Sequence, residues 1–385
     1  MTINNRDLSP VFSQLTINED ADCSLAVQLA NQLSWLIASN QLKPGDRLPT
    51  IRGLAEVLGI NLHTVRAAYL RLEEYRMIKT RRGTGSVVLG FDPSAVGGQS
   101  TAIRTHMVGL IVPDLSGPFY PMILKGVQWV AQHRHILVIA CGTDEDPQAA
   151  SDQLDMLIAQ NVDGVIIASD YLPFEEGTPF FHLDPDDYPI PLVFIDRPEQ
   201  EGYSVLFDAA EAGYKATTHL LGHGYTPVAF ISPSRKFPTY QLCFDGYRDA
   251  LNEYQQPLPA EQIIETAGFT FQDGYEAMQA LLARETLPRA VFVAEDLLAV
   301  AGMKAIRDAG LRIPEDIAVI GLNDFEISHF SDPLLSTVNT SAEELGVVAM
   351  RLMLQLLEGV QVEHSVITLP TRLILRQSCG CRLEP

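Results

Sequence analysis

The stretch Leu42-Lys43-Pro44-Gly45-Asp46-Arg47-Leu48-Pro49-Thr50-Ile51-Arg52-Gly53-Leu54-Ala55 continues through Gly59-Ile60-Asn61 to Thr64-Val65-Arg66-Ala67-Ala68-Tyr69. Lys43-Pro44-Gly45-Asp46 is a turn, since proline fixes its own φ and glycine admits the positive φ of a tight reversal. Thr50 is placed to cap a short helix running to Leu58, and Gly59 to close it. Asn61 is placed to cap the next helix, where Val65, Ala68, Tyr69 and Leu72 share one face at helical spacing and His63 and Arg66 lie on the other. Upstream, Leu25, Leu29, Leu33, Leu36 and Ile37 mark an earlier helix that Ser24 can cap. Downstream, residues 77–82, 83–85 and 86–89 read as strand, tight turn and strand.

Helix, short helix, turn, helix and basic hairpin, in that order, make a winged helix-turn-helix over residues 21–90. Its third helix fits a major groove about 12 Å wide and would present His63, Thr64 and Arg66 to base edges. Arg81 and Arg82 flank a glycine-rich tip that can approach the DNA backbone or minor groove. The alternative is a structural three-helix unit with a solvated basic face, but the whole order of elements favours DNA binding. Charge agrees. The chain of 385 residues carries a net −21, yet residues 21–90 hold nine Lys and Arg against five acids, a net of +4. With −2 in residues 1–20, residues 91–385 carry −23. Phosphate attracts the small module and repels the body.

These motifs, with Arg82-Gly83-Thr84-Gly85-Ser86, resemble the GntR-type DNA-binding domain. The resemblance implies DNA contacts from Arg52 at the start of the second helix, from Asn61, His63, Thr64 and Arg66 in the turn and recognition helix, and from Arg82, Gly83 and Thr84 at the wing tip. Many members carry arginine where this chain has Leu62, so the resemblance does not carry an operator sequence over. Residues 1–20 are polar and unpatterned, a loose lead-in. Residues 91–105, rich in small residues, Pro and Gly, form a linker.

From His106 the pattern changes. Apolar runs at 107–112, 136–140, 164–168 and 192–195 alternate with amphipathic helical stretches, and a second series follows at 228–231, 290–293 and 317–320. This rhythm predicts an α/β body of two parallel sheets covered on both faces, with a ligand cleft at the carboxyl ends of the strands. Gly109-Leu110-Ile111-Val112-Pro113-Asp114, Val162-Asp163-Gly164-Val165-Ile166-Ile167, Ile195-Asp196-Arg197, His219-Leu220-Leu221-Gly222-His223-Gly224 and Ile313-Pro314-Glu315-Asp316 resemble the LacI/GalR-type effector-binding domain over residues 106–385. That implies a two-subdomain, periplasmic-binding-protein-like (type I) doubly wound fold and a homodimer. The fusion with a GntR-type module is similar to arabinose-repressor-like transcriptional regulators. Carried over by position, the effector pocket draws on Phe119, Tyr120, Ser169, Asp170, Arg197, Phe269, Glu295 and Asn323. Core packing is the alternative for the three aromatics, and Asp144 is open as a helix N-terminal acid. Members often carry arginine at the place of Cys243, Asn-Asp at that of Glu295-Asp296, and aspartate at that of Asn323. These departures point to a neutral or cationic ligand, a sugar foremost, rather than an acidic or purine-like one.

Composition excludes other classes. No stretch approaches the roughly 18 apolar residues of a membrane span. The first residues lack a secretory signal, so the cytoplasm is expected, in a reducing environment with five free cysteines. No nucleophile elbow, P-loop, HExxH, or GxGxxG after a strand supports the alternative of an α/β enzyme tethered to DNA. His219 and His223 have metal-ligand spacing, as do Cys379 and Cys381, but neither pair shows a third ligand, so no metal and no cofactor are expected.

Overall fold

The structure, a computed structural model, describes residues 8–12, 14–17, 24–81, 85–90, 105–144, 146–168, 187–197, 202–360, 362 and 366–381. The N-terminal module comprises α1 (Ser9–Phe12), α2 (Leu25–Ala38), α3 (Ile51–Leu58), α4 (Leu62–Glu74), β1 (Ile78–Arg81) and β2 (Gly85–Val88). Thr50 accepts a hydrogen bond from the Gly53 amide and Asn61 from the His63 amide, and Gly59 closes α3 at φ 68°. Ser24 precedes α2 without making a side-chain cap. The two strands pair antiparallel, from Ile78 opposite Val88 to Arg81 opposite Gly85. The expected loose lead-in is corrected for its described part. Leu8, Val11, Phe12 and Leu15 are buried in the same core as Leu29, Leu33, Val65 and Leu72. Four apolar side chains in a short polar segment carry too little periodicity to show as a helix, yet they cover α2, and Gln32 bonds both amide and carbonyl of Thr16.

The body contains two six-stranded sheets. The first has the order β13-β7-β6-β5-β3-β4 and the second β14-β12-β11-β10-β8-β9. In the first are β3 (Met107–Val112), β4 (Leu137–Gly142), β5 (Gly164–Ala168), β6 (Leu192–Ile195), β7 (Tyr203–Phe207) and β13 (Val366–Leu369). In the second are β8 (Val228–Ser232), β9 (Ile263–Glu265), β10 (Ala290–Val293), β11 (Ala318–Leu322), β12 (Ser336–Asn339) and β14 (Arg372–Ile374). Every pairing is parallel except β14 with β12. The central strands are buried along their whole length, as the unbroken apolar runs require of sheets covered on both faces.

The covering helices are α5 (Phe119–His133) and α6 (Pro147–Ala159) in the first half. In the second they are α7 (Ala209–Gly222), α8 (Pro238–Glu253), α9 (Phe271–Leu282) and α10 (Asp296–Asp308). A last helix, α11 (Ala342–Leu357), returns to pack on α5. α7 and α8 touch backbone to backbone: a Cβ on Gly213 would meet the Cys243 carbonyl oxygen at 1.9 Å, and one on Gly246 the Ala210 oxygen at 1.9 Å. Only glycine permits that approach. The chain passes between halves three times, after β7, after β12 and after β13. Glu211 ties two of these crossings, accepting from the amide and hydroxyl of Thr371 and pairing with Lys215 at 2.9 Å.

Candidate functional site

On the DNA module, Arg52, Asn61, His63 and Arg66 are exposed, and Thr64 is half-buried. Capping puts them there. With Val65, Ala68, Tyr69 and Leu72 driven into the core, the other face of α4 is left to solvent. The Tyr69 hydroxyl bonds the Pro49 carbonyl at 2.8 Å, which fixes α4 against the start of α3, where Arg52 stands. The Asn61 side-chain oxygen is engaged as a cap, so its amide nitrogen is the part that faces outward chemistry. Leu62 is 43% exposed on the same face. Lys79 and Arg81 on β1 add exposed positive charge. Arg82, Gly83 and Thr84 lie outside the described residues.

In the body, a cleft of about 780 Å³ lies between the two sheets, where loops from both halves meet. Five of the eight residues expected to hold an effector line it: Phe119, Tyr120, Phe269, Glu295 and Asn323. Ser169 and Asp170 lie outside the described residues. Arg197 is not among the described lining residues, and its guanidinium sits 5.4 Å from the Phe194 ring centre. Its neighbour Asp196, at the end of β6 with a left-handed backbone (φ 58°), lines the cleft. Cys243 is fully buried in α8 and is not among the described lining residues, although Thr239 and Tyr240, one turn earlier on that helix, are. Asp144 is not the helix-start acid. Asp146 caps α6, and Asp144 lines the cleft.

The lining falls into two chemical classes. Phe237, Tyr240 and Phe269 cluster on the second half with ring centres 5.9–6.3 Å apart, and Phe119 meets Tyr120 edge-on at 5.3 Å on the first. Phe207, Phe271 and Phe325 add to them. Against these rings stand four carboxyls, Asp114, Asp144, Asp196 and Glu295, and no Lys, Arg or His among the described lining residues. Sequence reasoning missed Phe237 and Tyr240 because they sit at the start of α8, where an aromatic also reads as core.

Glu295 and Asp296 are adjacent in sequence and opposed in role. Asp296, at the start of α10, accepts from the Phe325 amide (2.8 Å) and from the hydroxyls of Ser328 (2.7 Å) and Thr337 (2.6 Å). It pins the loop after β11. Burial pushes its carboxyl up to about 7 against those three donors. Glu295 turns to the cleft, accepting from Asn323 Nδ2 at 2.7 Å, and Asn323 in turn accepts from Thr340 at 3.0 Å. Burial, then the charge of Asp296, raises the Glu295 carboxyl well above its ordinary range. Burial likewise lifts Asp196 to about 7, against a hydrogen bond from Thr239. Asp114 goes the other way. Partial burial raises it, but donors from Ser116 and Gly117 outweigh that and hold it low.

Comparison with known proteins agrees with this architecture. Residues 25–88 match the gntR family of bacterial regulatory proteins, and residues 217–379 match the periplasmic binding protein-like domain. The HTH-type transcriptional repressor PurR of Pasteurella multocida (strain Pm70) is 28% identical over 340 residues, 87% of this chain and 100% of its own. The transcriptional regulator CelR in its cellobiose complex superposes with TM-score 0.64 at 25% identity, covering 86% of this chain and 100% of that one. A LacI family transcriptional regulator from Enterococcus faecium with bound ribose gives TM-score 0.62 at 26% identity, over 71% of this chain and 98% of that one. The chain is a DNA-binding transcriptional regulator in which a gntR-type winged helix-turn-helix precedes a periplasmic-binding-protein-like effector body similar to those of LacI-family regulators.

Proposed function

We propose that this regulator is a cytoplasmic repressor that binds operator DNA as a homodimer and changes its grip when a sugar or related metabolite enters the cleft. The observation that carries the ligand class is the cleft's lining: aromatic faces and four carboxyls, with no described cation. An anionic ligand would meet uncompensated like charge there. A sugar stacks its apolar face on Phe237, Tyr240 or Phe269 and shares its hydroxyls among Asp114, Asp196, Glu295 and Asn323. The cellobiose and ribose complexes of the two related structures support the same class. A protonated amine is the second reading, favoured by the low-lying Asp114 carboxylate.

On the DNA side, Arg52, His63, Thr64 and Arg66 read bases or phosphates, Asn61 contributes its amide nitrogen, and Arg82, Gly83 and Thr84 contact the backbone from the wing tip. The working division is a DNA module at 21–90, joined by residues 8–17, then a linker at 91–105 and an effector and dimerisation body at 106–385. Trp129 on α5 and Leu137 on the edge strand β4 are 51% and 62% exposed, which supports self-association along that side. No helix of the described residues is long and apolar enough to cross a membrane. The ligand must favour one arrangement of the two halves to alter DNA affinity, since equal binding to both shifts nothing. The relatives' names as regulators favour binding without turnover.

A thermal-shift screen of the full chain against neutral mono- and disaccharides, small amines, organic acids and purine bases tests this. Stabilisation by a neutral sugar, rising to about 2.7 kcal/mol at a hundredfold excess over Kd, is expected. Stabilisation by purine bases or organic acids alone would overturn it.

A further inference from the structure

His219 and His223, like Cys379-Gly380-Cys381, take no part in the DNA face or the cleft, and each pair lacks a third ligand in the sequence. The fold supplies it. His219 stands in the last turn of α7 and His223 is that helix's C-cap, so both project from one helix end. The C-terminal segment returns to this end along the second sheet. Ser378 anchors it, donating to the Val319 carbonyl at 2.6 Å and accepting from the Ser336 amide at 2.8 Å. Gly380, at φ 85°, then turns the chain against Tyr225, whose ring stacks on His223 at 6.0 Å between centres. This delivers the Cys381 sulfur to 3.4 Å from Nε2 of His219 and 3.4 Å from Nε2 of His223. The three donor atoms lie within 4.8 Å of one another.

The two sulfur–nitrogen distances suit a shared ion. A tetrahedral zinc with Zn–S of about 2.3 Å and Zn–N of about 2.0 Å separates its sulfur and nitrogen ligands by about 3.5 Å. A single thiol proton serves one imidazole at a time, whereas the two contacts here are equal. We propose that His219, His223 and Cys381 form a site for a thiophilic divalent metal, zinc(II) in chemistry, that pins the C-terminal segment to the end of α7. Three protein donors leave a fourth position for water or an added ligand, and exposed His223 opens the site to solvent. The pinned segment is continuous with the cleft wall. Arg376, on the same segment, bonds Asp324, the neighbour of cleft residue Asn323, at 2.5 Å.

The experiment uses the reduced full chain, with zinc(II) in equilibrium dialysis and cobalt(II) as a spectroscopic probe. One cobalt(II) per chain is expected, with the thiolate-to-cobalt charge-transfer absorption that only a sulfur ligand produces. Cys381→Ser should abolish that absorption and, like His219→Ala, weaken zinc binding about tenfold or more. Cys141→Ser, distant from the cluster, should retain both. Far-ultraviolet circular dichroism without metal checks that each variant folds, and zinc should raise the Tm of the parent but not of Cys381→Ser. Absence of stoichiometric uptake by the reduced parent, or undiminished uptake by folded Cys381→Ser, would overturn the proposal.

Discussion

The caps of the DNA module bond residues two or three positions away, Asn61 to His63 and Thr50 to Gly53. In the cleft, Glu295 meets Asn323 across 28 residues and Asp296 meets Thr337 across 41. The charge logic is reversed as well. The module leaves Arg52 and Arg66 in water for phosphate and base edges, while the cleft buries Asp196, Glu295 and Asp296 among apolar strands. The first region spends little stability on function. The second places costly groups in its core and depends on distant partners to satisfy them.

Asp296→Ala is the hardest test of that contrast. It orphans one amide and two hydroxyls in a buried network, and we expect a loss of about 3 kcal/mol or more in urea unfolding of the body. A neutral outcome would mean the network does not hold the loop after β11. Arg66→Ala on the exposed face should do the reverse, leaving Tm unchanged while weakening operator binding by about 1–3 kcal/mol and relaxing its specificity. Equal weakening on all sequences would make Arg66 a phosphate contact rather than a reader. Phe269→Ala should lower effector affinity about tenfold, or roughly 1.4 kcal/mol, with ligand-free operator binding intact. Arg197→Ala should affect effector affinity less, and isothermal titration of both variants ranks them.

The smallest effect is a slope. Asp196 and Asp296 titrate near 7 in the folded chain, against an ordinary value of 3.8. The folded chain therefore holds protons that the unfolded chain has released. Their contribution to stability is full below about pH 4 and is lost as pH rises towards 7. Urea midpoints across that range should show the fall, and Asp196→Asn should flatten it. A slope unchanged in that variant would remove Asp196 as its source.

Much of this was legible in the sequence, for a physical reason. The helices α2 to α4, the Thr50 and Asn61 caps and the hairpin follow from neighbours within a few residues, and the central strands β5, β6 and β10 from unbroken apolar runs. β12 was not legible, because Ser336 and Thr337 are fully buried yet polar, satisfied by Arg376 and Asp296 from elsewhere. In the site, Phe119, Tyr120, Phe269, Glu295 and Asn323 came from the family resemblance, carried over by position, and all five line the one cleft. Asp196, which also lines the cleft, was not singled out, because it reads equally as the end of a strand. The His219, His223 and Cys381 cluster joins positions 158 and 162 residues apart, a separation no local spacing reveals.

The central claim is that one chain couples selective DNA reading by α4 to occupancy of the cleft. Footprinting of the full chain on DNA selected from random sequence, with and without a ligand found by thermal shift, tests it most directly. The account predicts two protected half-sites related by a pseudo-twofold axis, about one helical turn or a multiple apart. Saturating ligand should change their protection, and Arg66→Ala should erase it. Uniform coating of DNA without a preferred site, or a footprint indifferent to a ligand that fills the cleft, would contradict it.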